Sequence, residues 1–245
     1  MEIDEAKRAI RERVWAALDE AKAVSPPGAA GHIPSFVGAA PAAQRLAQLD
    51  VWREAAVVKA NPDGAQLPVR EAALREGKLL YMAVPAMATP QPFYLLDPGE
   101  VGPEAALSKN AARLAPTVAP EDMRPVDLVV CGTVAVNRRG VRIGKGAGYS
   151  DLEVALLTEA GLIGPATTIV TTVHQLQVID EDTPETEHDF SVDLIVTPDE
   201  VIHCGPPRRP AGLVWEHLSP EKINAIPALA NRRPHPSEST TRSGT

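Results

Sequence analysis

The sequence predicts an α/β fold: a three-layer sandwich with a mostly parallel sheet, helices on both faces and a disordered C-terminal tail. The main observation is an order of segments, because an apolar run at 55–60 leads through a turn at 61–64 into a helical segment at 68–76 and a second apolar run at 78–84. This order at short spacing is typical of parallel strands covered by helices. The chain has 245 residues and 44% hydrophobic content, which suffices for a three-layer core.

The amino-terminal part is predicted to contain two helices. Apolar residues recur at spacings of three and four along residues 4–23, which predicts one amphipathic helix. The Ser-Pro-Pro-Gly turn at 25–28 ends it, and a short Ala-rich helix is expected over residues 41–49.

The second half of the sequence contains the remaining predicted strands. They are expected at residues 127–131, 134–136, 167–171 and 192–197, with an edge strand at 200–203 and a helix at 149–159. The Pro-rich residues 86–125 are expected to form a long connection with at most one short helix or strand.

The predicted domain organisation is one α/β domain over residues 1–205 and a largely disordered tail over 206–245. The tail is rich in Pro and Arg, and its last part, 231–245, has almost no apolar side chain. Such a segment cannot bury enough apolar surface to offset the entropy of ordering.

Composition excludes several classes of protein. No apolar run reaches membrane-spanning length, and the charged first helix does not resemble a signal peptide. The two cysteines, Cys131 and Cys204, form neither a disulfide framework nor a metal cluster, so we expect a cytoplasmic protein. We also expect no membrane partner, and a monomer. A net charge of -8 argues against general affinity for nucleic acid, although a local basic patch can override it.

The segment 142–151, Arg-Ile-Gly-Lys-Gly-Ala-Gly-Tyr-Ser-Asp, is predicted to bind phosphate. Its three alternating glycines let backbone amides approach an anion, and the helix that follows adds the partial positive charge of its amino end. Arg142 and Lys145 supply full charges, and Asp151 is placed to hold Mg²⁺ between phosphates. The spacing fits neither a Walker A loop nor a dinucleotide fingerprint. A plain glycine turn, with Asp151 only complementing the helix dipole, remains the alternative.

The segment resembles the signature of the 5-formyltetrahydrofolate cyclo-ligase (methenyltetrahydrofolate synthetase) family. The resemblance covers about residues 4–204 and includes residues 131–137, Pro184, Glu187-His188-Asp189 and Val192-Asp193, together with Lys7 and Ile10-Arg11 near the amino terminus. Segments 31–36, 59–63 and 172–178 are similar to a divergent branch, the methenyltetrahydrofolate synthetase domain-containing proteins.

The resemblance implies an ATP-dependent enzyme that converts 5-formyltetrahydrofolate to 5,10-methenyltetrahydrofolate. ATP and Mg²⁺ are the implied cofactors, and a folate-type small molecule is the implied partner. The implied catalytic residues are Arg142 and Lys145, and the implied metal ligand is Asp151. The implied nucleotide-binding residues are Lys7, Arg11, Arg142, Gly144, Lys145, Gly146, Ala147, Gly148, Tyr149 and Asp151. The implied substrate-binding residues are Lys59, Asn61 and Gln66.

Three positions depart from the family pattern. Ser150 replaces a Tyr, Asn137 an Asp, and Gln66 is the nearest match to a folate-facing Glu. These departures motivate an alternative, a non-catalytic regulator that retains nucleotide or folate binding. A third hypothesis is an RNA-binding scaffold, which depends on the branch resemblance and on the basic pairs 208–209 and 232–233.

The remaining polar residues leave their roles open. His188 is either an acid–base group or an ordinary hydrogen-bonded histidine, whereas His174 favours the second interpretation. Asp189 and Asp193 are expected to cap turns, and Cys131 to be a buried small hydrophobe.

Overall fold

The computed structural model describes residues 3–232. Its α-helices are α1 (Ile3–Glu20), α2 (Ala39–Ala47), α3 (Asp50–Arg53), α4 (Leu67–Arg75), α5 (Ser108–Leu114), α6 (Tyr149–Glu159), α7 (Pro220–Ala225) and α8 (Pro227–Ala230). Its strands are β1 (Val57–Ala60), β2 (Leu79–Ala83), β3 (Phe93–Leu96), β4 (Thr117–Val118), β5 (Leu128–Cys131), β6 (Ala135–Asn137), β7 (Arg142–Ile143), β8 (Thr168–Thr172), β9 (Val178–Ile179), β10 (Leu194–Val196) and β11 (Val201–His203).

The main sheet confirms the predicted α/β class. Its order is β11-β10-β8-β5-β1-β2-β3-β4. The five central strands, from β10 to β2, pair in parallel, and only the two edges add antiparallel strands. Strand β1 is central and is buried along its whole length, as expected for a parallel strand that is covered on both faces.

Helices pack on both faces of this sheet. On one face α6 contributes Leu152, Leu156 and Leu157 to a large apolar cluster. On the other face α2 and α4 contribute Leu46 and Val69 to a second cluster. The short apolar strands therefore form the middle layer of a three-layer sandwich.

A second, small sheet supports α1. Strand β6 pairs antiparallel with β7 and parallel with β9. The apolar stripe of α1, with Ile10, Val14 and Leu18, packs against Ala135 and Ile143 of this small sheet. This packing holds the polar side of α1 beside the glycine-rich segment that follows β7.

The segment 86–125 contains more structure than the sequence suggests. It forms β3, α5 and β4, which extend the main sheet: β3 pairs antiparallel with β2, and β4 pairs antiparallel with β3. The frequent prolines make this region look like a loop in the sequence. Proline is nevertheless tolerated in edge strands and at strand ends.

The predicted disordered tail is folded over part of its length. Helices α7 and α8 bury Ile223, Ile226 and Leu229 in the same cluster as α6. These three side chains recur at a spacing of three within a Pro- and Arg-rich stretch, too briefly to form a clear amphipathic pattern. The rest of the predicted tail, 233–245, lies outside the described residues. Within residues 3–232, no helix combines the length and apolarity needed to cross a membrane.

Candidate active site

A cavity of about 790 Å³ opens where the carboxyl ends of parallel strands meet the amino end of α6. Its walls include residues 61–63 after β1, residues 84–86 after β2, and the glycine-rich segment 144–148 before α6. Ligands of open parallel sheets bind in crevices at this edge. The cavity also contains all ten residues implied for nucleotide binding: Lys7, Arg11, Arg142, Gly144, Lys145, Gly146, Ala147, Gly148, Tyr149 and Asp151.

The glycine-rich segment has a backbone that requires glycine at two positions. Gly146 has φ 105° and Gly148, the residue before α6, has φ 72°. Both values lie in the left-handed region, which strongly favours glycine. Space is also limited, because a side chain at Gly148 would stand 3.0 Å from Lys222 Nζ. At these two positions the segment therefore presents its backbone, rather than a side chain, to the cavity.

Two cations from α1 reach the cavity wall across a long sequence separation. Arg11 Nε donates a hydrogen bond to the Gly144 carbonyl oxygen at 2.7 Å. Lys7 Nζ donates to Asp189 Oδ2 at 2.5 Å. Because the apolar stripe of α1 is fixed on the small sheet, both side chains are held against the cavity.

Arg142 lies beneath the segment and is almost completely buried. Its Nη1 donates to Asp151 Oδ1 at 3.0 Å, and its guanidinium stacks 4.5 Å from the centre of the Phe190 ring. The ion pair and the cation–π contact fix its orientation. Lys145, by contrast, is exposed and forms no hydrogen bond or ion pair with any residue from 3 to 232.

Two carboxylates on the cavity wall are suited to a magnesium ion. Asp151 and Asp189 both line the cavity, and both interact electrostatically with Arg142. Mg²⁺ takes one or two carboxylates together with phosphate oxygens, so this donor set fits it. Burial raises the pKa of Asp189, but hydrogen bonds from Lys7 and from the Thr186 amide outweigh burial and lower the pKa overall. Asp189 therefore stays ionised, as a metal ligand or a partner of Lys7 must.

The wall formed after β1 has a different character. Asn61 and Asp63 line the cavity, and burial raises the pKa of Asp63 even though Lys145, Arg70 and Lys59 oppose the shift. Arg70 holds the backbone of this turn through the carbonyl oxygens of Asn61 and Asp63. The turn is therefore rigid, and its acid is easier to protonate than an ordinary aspartate.

Two of the three implied substrate residues lie behind this wall. Lys59 is fully buried, where it forms an ion pair with Glu153 of α6 and donates to Asn61 Oδ1 at 3.1 Å. Gln66 is also fully buried and donates to Thr172 Oγ1 at 3.2 Å. Neither side chain lines the cavity, whereas Asn61 does. The acidic residue on the cavity wall that is nearest to Gln66 in the sequence is Asp63, three positions earlier.

The three departures from the family pattern are not equivalent in the structure. Asn137 caps the hairpin between β6 and β7, since its Oδ1 accepts hydrogen bonds from the amides of Arg139 and Val141. Ser150 does line the cavity, and its Oγ accepts a hydrogen bond from Asn61 Nδ2 at 2.7 Å. With Gln66 buried behind the wall, Ser150 is the one of these three that faces the cavity.

Sequence reasoning missed a further wall, which the segment 212–222 forms. Its residues Leu213, Val214, His217, Leu218 and Lys222 line the cavity. Lys222 Nζ lies 3.5 Å from the Ala147 carbonyl oxygen, so it adds a cation to the glycine-rich segment. The only sequence signal was the apolar spacing of α7 and α8, which implies that this region is folded.

A strained backbone marks the wall after β2. Ala86 has φ 56° and Met87 has φ 49°, both in the left-handed region that non-glycine residues seldom adopt. Ala86 lines the cavity, and Met87 is fully buried below it. Such strain concentrates at binding sites.

The fold and the cavity together define an α/β protein with a cavity at the carboxyl edge of a parallel sheet. The sequence model of the 5-formyltetrahydrofolate cyclo-ligase family matches residues 3–198. The chain belongs to this family.

The names of similar proteins agree with this family assignment. Methenyltetrahydrofolate synthase domain-containing proteins from Mus musculus and Homo sapiens are 37% and 36% identical, and each match covers 93% of this chain. The chain spans 63% and 61% of the length of these two relatives. The solved structure of 5,10-methenyltetrahydrofolate synthetase from Aquifex aeolicus aligns with a TM-score of 0.54 at 18% identity, covering 84% of this chain and 94% of that chain. At this identity the structural match establishes the shared fold.

Proposed function

We propose that this protein catalyses the ATP-dependent closure of 5-formyltetrahydrofolate to 5,10-methenyltetrahydrofolate. The observation that carries the proposal is the convergence of Lys7, Arg11, Arg142, Lys145 and Asp151 on one cavity. These residues come from α1 and from the segment 142–151, which are more than a hundred positions apart in the sequence.

In the proposed reaction, the formyl oxygen attacks the γ-phosphorus of ATP and ADP leaves. N10 of the folate then attacks the activated carbon and releases its proton to solvent, and phosphate leaves to give the methenyl bridge. Neither step needs a covalent enzyme nucleophile. Catalysis therefore depends on positioning and on neutralising the charge of the phosphoryl group.

The nucleotide side of the cavity is suited to this task. The amides of Gly144, Gly146 and Gly148 and the amino end of α6 face the phosphates. Arg142, as a fixed cation, and Lys145, as a mobile one, neutralise charge on the transferred group, and Lys222 adds a third. Asp151 and Asp189 would hold Mg²⁺, which would supply further charge neutralisation at the phosphate oxygens.

The folate side is assigned to the turn after β1. Asn61 offers an amide, and Asp63, whose pKa is raised by burial, offers carboxyl oxygens that accept hydrogen bonds. Lys59 and Gln66 act from behind: Lys59 orients Asn61 through its 3.1 Å hydrogen bond, and Gln66 supports the strand end at Thr172. In this assignment Asp63 takes the place of the family's folate-facing carboxylate.

The test is the appearance of methenyl product. Purified full-length chain is mixed with 5-formyltetrahydrofolate, ATP and Mg²⁺, and the absorbance of the product is followed. Arg142→Gln is expected to abolish turnover, while Arg139→Gln, which changes an exposed arginine in the neighbouring turn, is expected to retain it. No product above background with the unmodified chain would overturn the proposal.

A second candidate is a regulator that binds nucleotide and folate without turnover. Ser150 supports it, since this departure faces the cavity and is bonded to Asn61. It predicts ATP binding by calorimetry together with no methenyl product. Absence of binding to both ATP and 5-formyltetrahydrofolate would exclude it.

The RNA-binding hypothesis stays a prediction. Two arginines assigned to a basic tail are engaged in the fold: Arg209 pairs with Asp193 at 2.5 Å and Arg208 donates to the Thr186 carbonyl oxygen at 2.7 Å. Arg232 pairs with Glu121, and Arg233 lies outside the described residues. A cytoplasmic monomer remains our proposal for location and assembly; both cysteines are free thiols, as expected in a reducing compartment.

A further inference from the structure

Three potential metal ligands meet at the rim of the cavity. His217 Nδ1 lies 2.8 Å from Glu187 Oε1 and 3.0 Å from His188 Nε2. The three ligand atoms all lie within 4.8 Å of one another. They come from two segments that are about thirty residues apart, the loop before β10 and the turn before α7.

Hydrogen bonding alone does not satisfy this arrangement well. His217 Nδ1 faces a carboxylate and a second imidazole nitrogen at the same time, and a neutral imidazole nitrogen is either a donor or an acceptor. A single proton on Nδ1 that is shared between the two neighbours makes a weakened hydrogen bond to each. A cation at the centre of the three atoms would accept a lone pair from each.

Both segments are held in place independently of the cluster. Asp189, beside His188, accepts hydrogen bonds from Lys7 and from the Thr186 amide. On the other side, the Leu213 amide donates to Glu159 of α6 at 3.0 Å, and Trp215 packs on the main core. The three ligands are therefore brought together by the fold, which reduces the entropic cost of binding an ion.

We propose that Glu187, His188 and His217 form a site for a divalent transition metal ion of the Zn²⁺ type. Two imidazoles and one carboxylate are a known zinc donor set that leaves a fourth position open. Zinc bonds to nitrogen and carboxylate oxygen are about 2.0–2.2 Å long, so the ligand atoms need only small outward shifts to surround an ion. Imidazole ligands favour Zn²⁺ over Mg²⁺, which prefers oxygen.

The position of the site gives it a structural consequence. His188 and His217 both line the cavity, so a bound ion would fasten the segment 212–222 to the loop that contains Asp189. The wall that contributes Lys222 would then be fixed across the cavity. This consequence does not depend on the chemistry proposed for the cavity.

The test is Co²⁺ titration of the untagged full-length chain, with Co²⁺ as a spectroscopic substitute for Zn²⁺. We expect one equivalent to bind, with the visible absorption of a low-coordinate nitrogen and oxygen site, in the presence of excess Mg²⁺. His217→Ala is expected to weaken binding by about 100-fold or more, since even loss of an outer-shell partner costs 10–100-fold. Zn²⁺ should displace the bound Co²⁺.

Matched variants keep the result interpretable. His203→Ala changes an exposed histidine of β11 and should leave Co²⁺ affinity unchanged. Glu187→Gln keeps the shape of the side chain, removes one charged ligand and should weaken binding without unfolding the chain, which circular dichroism checks. Failure to bind Co²⁺ stoichiometrically, or binding that survives both His217→Ala and Glu187→Gln, would overturn the proposal. Because the readout uses neither ATP nor folate, it is independent of the proposed enzymatic activity.

Discussion

Two walls of one cavity shift the pKa values of their aspartates in opposite directions. The wall formed by the glycine-rich segment and the loop that contains Asp189 is called the glycine-rich wall. On this wall, hydrogen bonds from Lys7 and Thr186 outweigh burial and lower the pKa of Asp189. On the wall after β1, burial outweighs three nearby cations and raises the pKa of Asp63. When one site separates the pKa values of its titratable groups in this way, the groups have different roles. Under the proposed function, Asp189 would balance charge near phosphate and Asp63 would form hydrogen bonds with a neutral substrate group.

The ion pair between Lys59 and Glu153 joins the two walls, and its loss should have the largest effect. Lys59 belongs to β1, Glu153 to α6, and both are almost completely buried. Removing one partner leaves an unpaired buried charge, so Lys59→Met should lower the free energy of unfolding by about 3–5 kcal/mol. Urea denaturation measures this loss.

The control for that prediction is the double variant Lys59→Met with Glu153→Leu. Replacing a whole buried pair with apolar side chains is often neutral or stabilising, so the double variant should recover most of the lost stability. If it were as unstable as the single variant, the packing of Lys59, rather than its charge, would be what joins the walls.

Removing a charge from the glycine-rich wall should weaken nucleotide binding and leave folate binding unchanged. Lys145 is exposed and has no polar partner within residues 3–232, so Lys145→Gln should leave stability unchanged. A hydrogen bond to a charged group contributes about 1.5–3 kcal/mol, which corresponds to a loss of ATP affinity of about 10–100-fold. Calorimetry measures both ATP and 5-formyltetrahydrofolate binding.

The matched control is Lys22→Gln, a change at an exposed lysine beyond the end of α1. It should leave ATP affinity at the level of the unmodified chain. Equal losses in the two variants would point to a general effect of net charge, and an equal loss of folate affinity in Lys145→Gln would contradict the division into two walls.

How far the sequence predicts this site depends on how local each feature is. The glycine-rich segment could be predicted because its glycines, cations and following helix are contiguous between 142 and 151. Lys7 and Arg11 were found through the family resemblance, since spacing alone does not connect α1 to that segment. The central strands were predictable because parallel strands are continuous apolar runs.

The features that the sequence did not predict depend on contacts between distant residues. The burial of Lys59 follows from its pairing with Glu153, 94 positions away, and nothing near Lys59 indicates that partner. Gln66 is the nearest match when the family pattern is followed along the chain, whereas the structure decides which side chain faces the cavity. The wall at 212–222 was missed because its apolar residues are sparse among prolines and arginines.

The hydrogen bond between Ser150 and Asn61 also crosses between the walls, but it is weaker. Ser150→Ala removes the acceptor of the 2.7 Å hydrogen bond from Asn61 Nδ2 and should lower the free energy of unfolding by about 1 kcal/mol. Because the proposed function places Asn61 on the folate side, KM for 5-formyltetrahydrofolate should rise while ATP affinity holds. Ser108→Ala, at a second serine on the cavity wall, is the control and should change neither; a rise in ATP Kd with unchanged KM for folate in Ser150→Ala would reverse the assignment.

The smallest effects should come from the acids themselves, because opposing influences partly cancel at each one. The pKa of Asp63 is raised in the folded state, so its contribution to stability falls as pH increases from about 3.9, the unfolded value, through the raised pKa. The Asp63→Asn variant lacks that loss, so its stability relative to the unmodified chain should improve as pH rises across this window.

The pKa of Asp189 is lowered, so its contribution to stability appears as pH rises through the lowered pKa and is complete above about 3.9. The Asp189→Asn variant should therefore lose stability relative to the unmodified chain over that range. Urea unfolding across a pH series, with the exposed Glu20→Gln as a reference, measures both slopes. Slopes of the same sign would contradict the opposite treatment of the two acids and the separate roles inferred from it.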